Sequence, residues 1–124
     1  MYEVFVERDF AAAHYLRDYP GNCEHLHGHN WIVRVYVRTA GLNDIDVGID
    51  FRDLKRIVDR VLDELDHTNI NEHPAFKERN PSSENIARFI YEQVKTGLAP
   101  FDGVRIDRVT VCETPKTGVT YWEE

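Results

Sequence analysis

The sequence predicts an α+β domain in which an antiparallel four-stranded sheet carries two helices on one face. Three observations predict it. Apolar and polar residues alternate at both ends of the chain, two helical periodicities lie together in the middle, and no repeat, linker or low-complexity run separates them. At 124 residues the chain has the length of one domain, 1–124.

The elements follow in order. In residues 2–10, Tyr2, Val4, Val6 and Arg8 share one face and Glu3, Phe5, Glu7 and Asp9 the other, which predicts a strand. Pro20, Gly21 and Asn22 mark a turn within 15–24. Residues 28–39 carry the strongest strand signal, with Ile32, Arg34, Tyr36 and Arg38 alternating with Trp31, Val33, Val35 and Val37. Residues 41–48 form a loop. Phe51, Leu54, Ile57, Val58, Val61, Leu62 and Leu65 recur every three or four positions and predict a helix over 51–65 with Asp50 as its N-cap. A second helix starts at Pro81-Ser82-Ser83-Glu84, where either serine can cap, buries Ile86, Phe89, Ile90 and Val94, and stops at Gly97. Residues 104–113 and 118–123 are two further strands, giving the order β-β-α-α-β-β.

Composition excludes several function classes. The formal net charge of −7 argues against a nucleic-acid partner. No run approaches the roughly 20 apolar residues of a membrane helix, and the first residues lack the apolar stretch of a signal peptide. Cys23 and Cys112 are too few for a disulfide scaffold, so a cytoplasmic location is expected. If helices cover one sheet face, the other still bears Ile32 and Tyr36, and its open edges add a second reason for a homo-oligomer.

The histidines carry the chemistry. In extended chain His27 and His29 point the same way, and Gly28 between them leaves room. Two imidazoles need further ligands to hold Zn²⁺. His14, after the small residues Ala11-Ala12-Ala13, is the natural third, and three histidines leave a fourth position open for catalysis. Other readings stand beside this one. His25 shares the same phase and could replace His14, Cys23 could close a structural four-ligand site, and the cluster could bind nothing. Near a metal, Cys23 would have a lowered pKa and could act as base or nucleophile; otherwise it is a spectator in a turn. Cys112, within Val-Thr-Val-Cys, reads as an inert core residue.

Three acidic positions have both a functional and an ordinary reading. Asp66-His67 could form an acid–base pair, although neighbours on a helix diverge by about 100° and His67 could simply complement the helix dipole. Glu113 ends an apolar strand, where a carboxylate is costly to bury without donors. A planar ligand with two parallel N–H groups would supply them, as would solvent. Asp50 could orient a metal-bound histidine, but capping is reason enough for it.

Taken together, Phe10-Ala11-Ala12-Ala13-His14, Cys23-x3-His27-Gly28-His29-Asn30, Asp50-Phe51-x-Asp53-Leu54-Lys55, Leu65-Asp66-His67 with Asn71, Pro81-Ser82-Ser83-Glu84-Asn85 and Val111-Cys112-Glu113-Thr114 resemble the 6-pyruvoyl-tetrahydropterin synthase family. The Cys-x3-His-Gly-His spacing is similar to the bacterial branch, the 6-carboxy-5,6,7,8-tetrahydropterin synthases of queuosine biosynthesis. The resemblance implies a T-fold assembled into a homohexamer, a dimer of trimers. It implies zinc on His14, His27 and His29, Cys23 as general base, and Asp66 and His67 as a proton relay across a subunit boundary. Glu113 would anchor a pterin ring through its 2-amino and N3–H groups. The implied reaction is a lyase step turning 7,8-dihydroneopterin triphosphate into 6-carboxytetrahydropterin, triphosphate and acetaldehyde. Ser82, where threonine is common, Ala11, where serine is common, and the additional His25 depart from the family pattern.

Overall fold

The computed structural model describes residues 1–19 and 25–124. Strand β1, Tyr2–His14, pairs antiparallel with β2, His27–Thr39, from Tyr2 opposite Thr39 to His14 opposite His27. Helix α1, Phe51–Leu62, is followed by the two-residue strand β3, Thr68–Asn69, and by two short 3-10 turns, Ile70–Glu72 and Pro74–Phe76. Helix α2, Ser83–Gly97, leads into β4, Val104–Thr114, and β5, Thr117–Trp122. The described residues form one five-stranded sheet in the order β3-β1-β2-β4-β5, with α1 over β1 and α2 over β4 and β5.

The expected α+β architecture and element order are present, with three corrections. The sheet has five strands rather than four, because β3 pairs in parallel with Ala12 and Ala13 of β1. Two residues are too few to show a period in sequence. β1 continues through the alanines to His14, past the expected end at residue 10, because pairing with β2 overrides the weak strand preference of alanine. Finally, α1 stops at Leu62 although the apolar rhythm runs to Leu65. Leu65 is fully buried from the turn that follows, so it keeps the pattern without belonging to the helix.

Both caps are as the sequence predicts. Asp50 accepts from the Arg52 N–H at 2.8 Å, and of the two candidate serines it is Ser82 that accepts from the Asn85 N–H. The core lies between sheet and helices. Trp31, Val33, Val35 and Val37 of β2 and Val109 and Val111 of β4 meet Leu54 and Val58 of α1 and Ile86 and Ile90 of α2, all fully buried. Each such aliphatic side chain contributes about 1.5–3 kcal/mol relative to exposure.

β4 contains two bulges. Asp107 is an extra residue between the pairs Tyr36–Arg108 and Val37–Ile106. Glu113 is an extra residue between Cys112–Gly118 and Thr114–Thr117. Such insertions bend a strand and re-aim side chains. The face away from the helices is mixed. Phe5 and Trp122 are 50% and 58% exposed there, but the ion pairs Glu7–Arg34, Glu3–Arg108 and Asp107–Arg38 cross it, and the Arg108 guanidinium lies 3.8 Å over the Tyr36 ring.

Cys112 also sits on this face. It is half-buried rather than in the core, because the buried residues of β4 alternate through Val109 and Val111. Its Sγ occupies the space beside Gly118, where an added Cβ would come within 2.5 Å. Gly118→Ala should therefore destabilise the fold by about 1–3 kcal/mol, the usual cost of overpacking. The double variant with Cys112→Ala should regain most of that loss. Urea midpoints at fixed protein concentration measure both, and an unchanged midpoint for Gly118→Ala would contradict the close approach.

Candidate metal centre

The registration of β1 on β2 builds the site. It places His14 directly across from His27, and the two-residue period adds His29 on the same helix-covered face. One ring nitrogen from each of the three lies within 4.8 Å of the others. The rings meet edge to face, with centroids 4.6 Å apart for His14 and His27, 4.9 Å for His27 and His29, and 5.5 Å for His14 and His29. Trp31 closes the floor beneath His14 and His29, and its indole N–H donates to the Ala12 carbonyl.

Backbone carbonyls fix the tautomers. His14 Nδ1 is 2.7 Å from the Pro81 carbonyl, and His27 Nδ1 is 2.7 Å from the His25 carbonyl. A carbonyl only accepts, so both Nδ1 atoms carry hydrogen and, in the neutral rings, both Nε2 atoms keep their lone pairs. His14 is 1% exposed, and its Nε2 has no hydrogen-bond partner; neither does the buried Nε2 of His29. Burial pushes the His14 pKa below that of a free imidazole. The Pro81 carbonyl and Glu113 oppose this shift, and the neighbouring imidazoles reinforce it. His14 is thus neutral at neutral pH. Three converging ring nitrogens, two of them buried without a partner, fit a divalent metal, and these three residues could hold one.

Glu113 borders the same space. The Ser83 hydroxyl at the start of α2 donates to its Oε1 at 3.0 Å. Its Oε2 stands 3.3 Å from His29 Nε2 without hydrogen-bond geometry, and its Oε1 is 3.8 Å from His14 Nε2.

Asp66 and His67 lie elsewhere, on the outer edge of β1. Asp66 Oδ1 accepts from the Ala11 N–H at 2.9 Å, the His67 N–H donates to the Ala11 carbonyl, and Oδ2 is 3.0 Å from His67 Nδ1. The two touch: both follow the end of α1, where helical divergence does not apply, and His67 adopts a left-handed φ of 58°. The Ala11 N–H, aided by His67, holds the Asp66 carboxyl below the ordinary carboxylate range. The pair lines a hollow of about 430 Å³ with Asp9, Phe10, Ala11 and Asn30. Among the described residues, no hydrogen bond or ion pair joins this pair to the three histidines.

Cys23 lies outside the described residues. His25 contributes its carbonyl and is not one of the three converging imidazoles. Asp50 contacts Arg52 and no histidine.

Some contributors had no role assigned to them from the sequence, although Asn71 stood among the residues of the resemblance. The Pro81 carbonyl is a backbone group, and Ser83 was legible only as a possible cap. Asn71 is buried and clamps the chain after His14 by bonding both the N–H and the carbonyl of Tyr15. Arg17 ties the same segment to the Phe76 carbonyl at 2.8 Å.

The sequence profile of 6-pyruvoyl tetrahydropterin synthase matches residues 3–124. The chain belongs to this family. A Caenorhabditis elegans 6-pyruvoyl tetrahydropterin synthase structure superposes with a TM-score of 0.85 at 30% identity, covering 100% of this chain and 98% of that one. The fold is therefore the T-fold of these enzymes, which are lyase-type tetrahydropterin synthases acting on pterins. A Synechocystis 6-carboxy-5,6,7,8-tetrahydropterin synthase is 31% identical over 128 residues, covering 98% of this chain and 94% of its own. A dihydroneopterin monophosphate aldolase from Pyrococcus furiosus is 36% identical over 118 residues, covering 94% and 93%.

Titration of metal-free protein with zinc should show one ion per chain. His27→Ala should weaken that binding by more than the roughly 10–100-fold that loss of an outer-sphere partner costs. Unchanged affinity would remove His27 from the site.

Proposed function

We propose that this chain is a zinc-dependent 6-carboxy-5,6,7,8-tetrahydropterin synthase that converts 7,8-dihydroneopterin triphosphate and one water to 6-carboxytetrahydropterin, triphosphate and acetaldehyde. The observation that carries this reading is the set of three converging imidazoles, two of them with buried unpartnered nitrogens, in a chain of this family. The Synechocystis relative of that name, alike over nearly the whole chain, supports it. So does a Bacillus subtilis relative of the same name, 29% identical over 126 residues. The reaction keeps one carbon of the three-carbon side chain as the carboxylate and releases two as acetaldehyde.

The residues take distinct roles. His14, His27 and His29 hold zinc, which polarises the side-chain hydroxyls and acidifies neighbouring protons. Cys23 takes a proton from the side chain as general base. Asp66 orients His67, and His67 passes protons from a neighbouring subunit, which explains why the pair lies apart from the histidines of its own chain. Glu113 accepts two hydrogen bonds from the ring. A homohexamer, a dimer of trimers, covers the face bearing Phe5 and Trp122. The setting is cytoplasmic queuosine biosynthesis.

A second reading is an aldolase reaction on dihydroneopterin monophosphate, favoured by the Pyrococcus furiosus relative. The 6-pyruvoyl reaction, which keeps all three side-chain carbons, is another outcome within the family, and a non-catalytic pterin-binding oligomer is the reading outside enzymology. Incubation with the triphosphate and the monophosphate in parallel, with mass analysis of the pterin and an acetaldehyde assay, separates them. Carboxytetrahydropterin and acetaldehyde from the triphosphate alone are expected. Turnover of the monophosphate alone would favour the aldolase.

Two variants probe the roles. Cys23→Ala should retain one zinc per chain and lose most turnover, and loss of zinc would make Cys23 a structural ligand instead. Glu113→Gln sets an amide donor against a ring donor and should weaken sepiapterin binding, followed by fluorescence, by about tenfold or more. Affinity within a factor of about two of wild type, or roughly 0.4 kcal/mol, would place the ring elsewhere.

A further inference from the structure

We propose that Arg17 is a positioning residue for the histidine cluster: its guanidinium holds the chain before α2 so that the Pro81 carbonyl stays on His14 Nδ1. This rests on the reading of His14 as a site residue and on no particular reaction. The guanidinium donates to three main-chain carbonyls, those of Phe76 at 2.8 Å, Asn71 at 3.3 Å and Arg79 at 3.4 Å. It also lies against the Tyr15 ring, 5.6 Å from its centre. The main chain of Arg17 is tied down as well. Its N–H donates to Asn80 Oδ1 at 2.9 Å, and its carbonyl accepts from Asn80 Nδ2 at 3.1 Å. Arg17 follows His14 by three residues, and Asn80 immediately precedes Pro81. These contacts therefore join the two partners of the His14–Pro81 hydrogen bond to each other.

The segment from Ile70 to Asn80 has little regular structure to fix it. It contains two 3-10 turns of three residues each, and most of the stretch from Glu72 to Arg79 is exposed. The side chains of Asn71 and Asn80 clamp its two ends to Tyr15 and Arg17 through paired amide bonds. Between these clamps the guanidinium reaches across to Phe76 and Arg79. Arginine suits this task. Its planar fork offers fixed donors to several acceptors at once, and a charged donor makes the stronger bond. Lysine presents its donors from a single point. When the segment loosens, the Pro81 carbonyl drifts from His14, and the neutral ring loses the acceptor that selects Nδ1–H over Nε2–H. The His25 carbonyl, which holds His27, lies outside this segment, so Arg17 acts on one imidazole of the cluster.

The test uses neither zinc nor pterin. Metal-free wild type, Arg17→Ala and Arg17→Lys are labelled with nitrogen-15 histidine and compared by NMR at neutral pH, with circular dichroism confirming the fold of each. In Arg17→Ala a second population of His14, with hydrogen on Nε2, should appear. Solvent exchange of its Nδ1–H should be about tenfold faster or more, as expected when charge-assisted hydrogen bonds are lost. His27 should be unchanged in the same spectra. Arg17→Lys should fall between wild type and Arg17→Ala at His14, and it carries the same comparison if Arg17→Ala does not fold. A His14 ring unchanged in the folded variants would overturn the proposal. So would His14 and His27 changing alike, which is the signature of general loosening. Hydrogen on Nε2 of His14 in wild type would overturn both the proposal and the tautomer on which it stands. Zinc titration of wild type is a separate measurement, and its failure would overturn the metal reading while leaving the Arg17 comparison intact.

Discussion

A 2.7 Å hydrogen bond from His14 Nδ1 to the Pro81 carbonyl ties the end of β1 to the start of α2. Much of the site depends on this contact. It assigns the proton to Nδ1 and leaves a buried Nε2 without a partner. An unsatisfied buried polar atom is expensive, of the order of 1–3 kcal/mol, and is retained where something else meets the cost. The His25 carbonyl does the same for His27 at the other side of the cluster. The ring orientations are thus set by backbone atoms of the surrounding fold before any ligand arrives, which is the preorganisation a metal site needs.

The sheet makes that contact possible. Continuous pairing of β1 with β2 fixes His14 opposite His27 without slippage, because a one-residue shift would turn the histidines to the other face and expose the valines of β2. Asn71 and Arg17 hold the chain that leaves β1, and the cap at Ser82 positions the carbonyl immediately before it. The turn after α1 docks Asp66 and His67 onto the opposite edge of β1. One strand therefore carries two chemically distinct groups, which this chain by itself keeps apart.

Much of this was legible in the sequence, and the remainder was illegible for physical reasons. Alternation located β2, β4 and β5, and the spacing of Leu54, Val58 and Val61 located α1. The same-face rule brought His27 and His29 together, and the paired strands brought His14 to them. The end of β1 was hidden by three alanines, whose strand character comes from their partners. β3 was too short to show a period, and Leu65 imitated a further helical turn from a loop. The Asp66–His67 contact depends on a left-handed backbone at His67 that no side-chain pattern announces. The bulge at Glu113 depends on cross-strand registration, and the two carbonyls that set the tautomers are groups that every residue possesses.

The central claim is that the backbone holds His14 and His27 in the Nδ1–H form, so that their Nε2 lone pairs converge on one point. Nitrogen-15 NMR of the metal-free protein with labelled histidine, recorded at neutral pH, reads the tautomers directly. The account predicts that both rings carry hydrogen on Nδ1, that the His14 ring is neutral, and that the Nε2 resonances of both move when zinc is added. Hydrogen on Nε2 of His14 in the metal-free protein, or zinc leaving its Nε2 resonance in place, would contradict it.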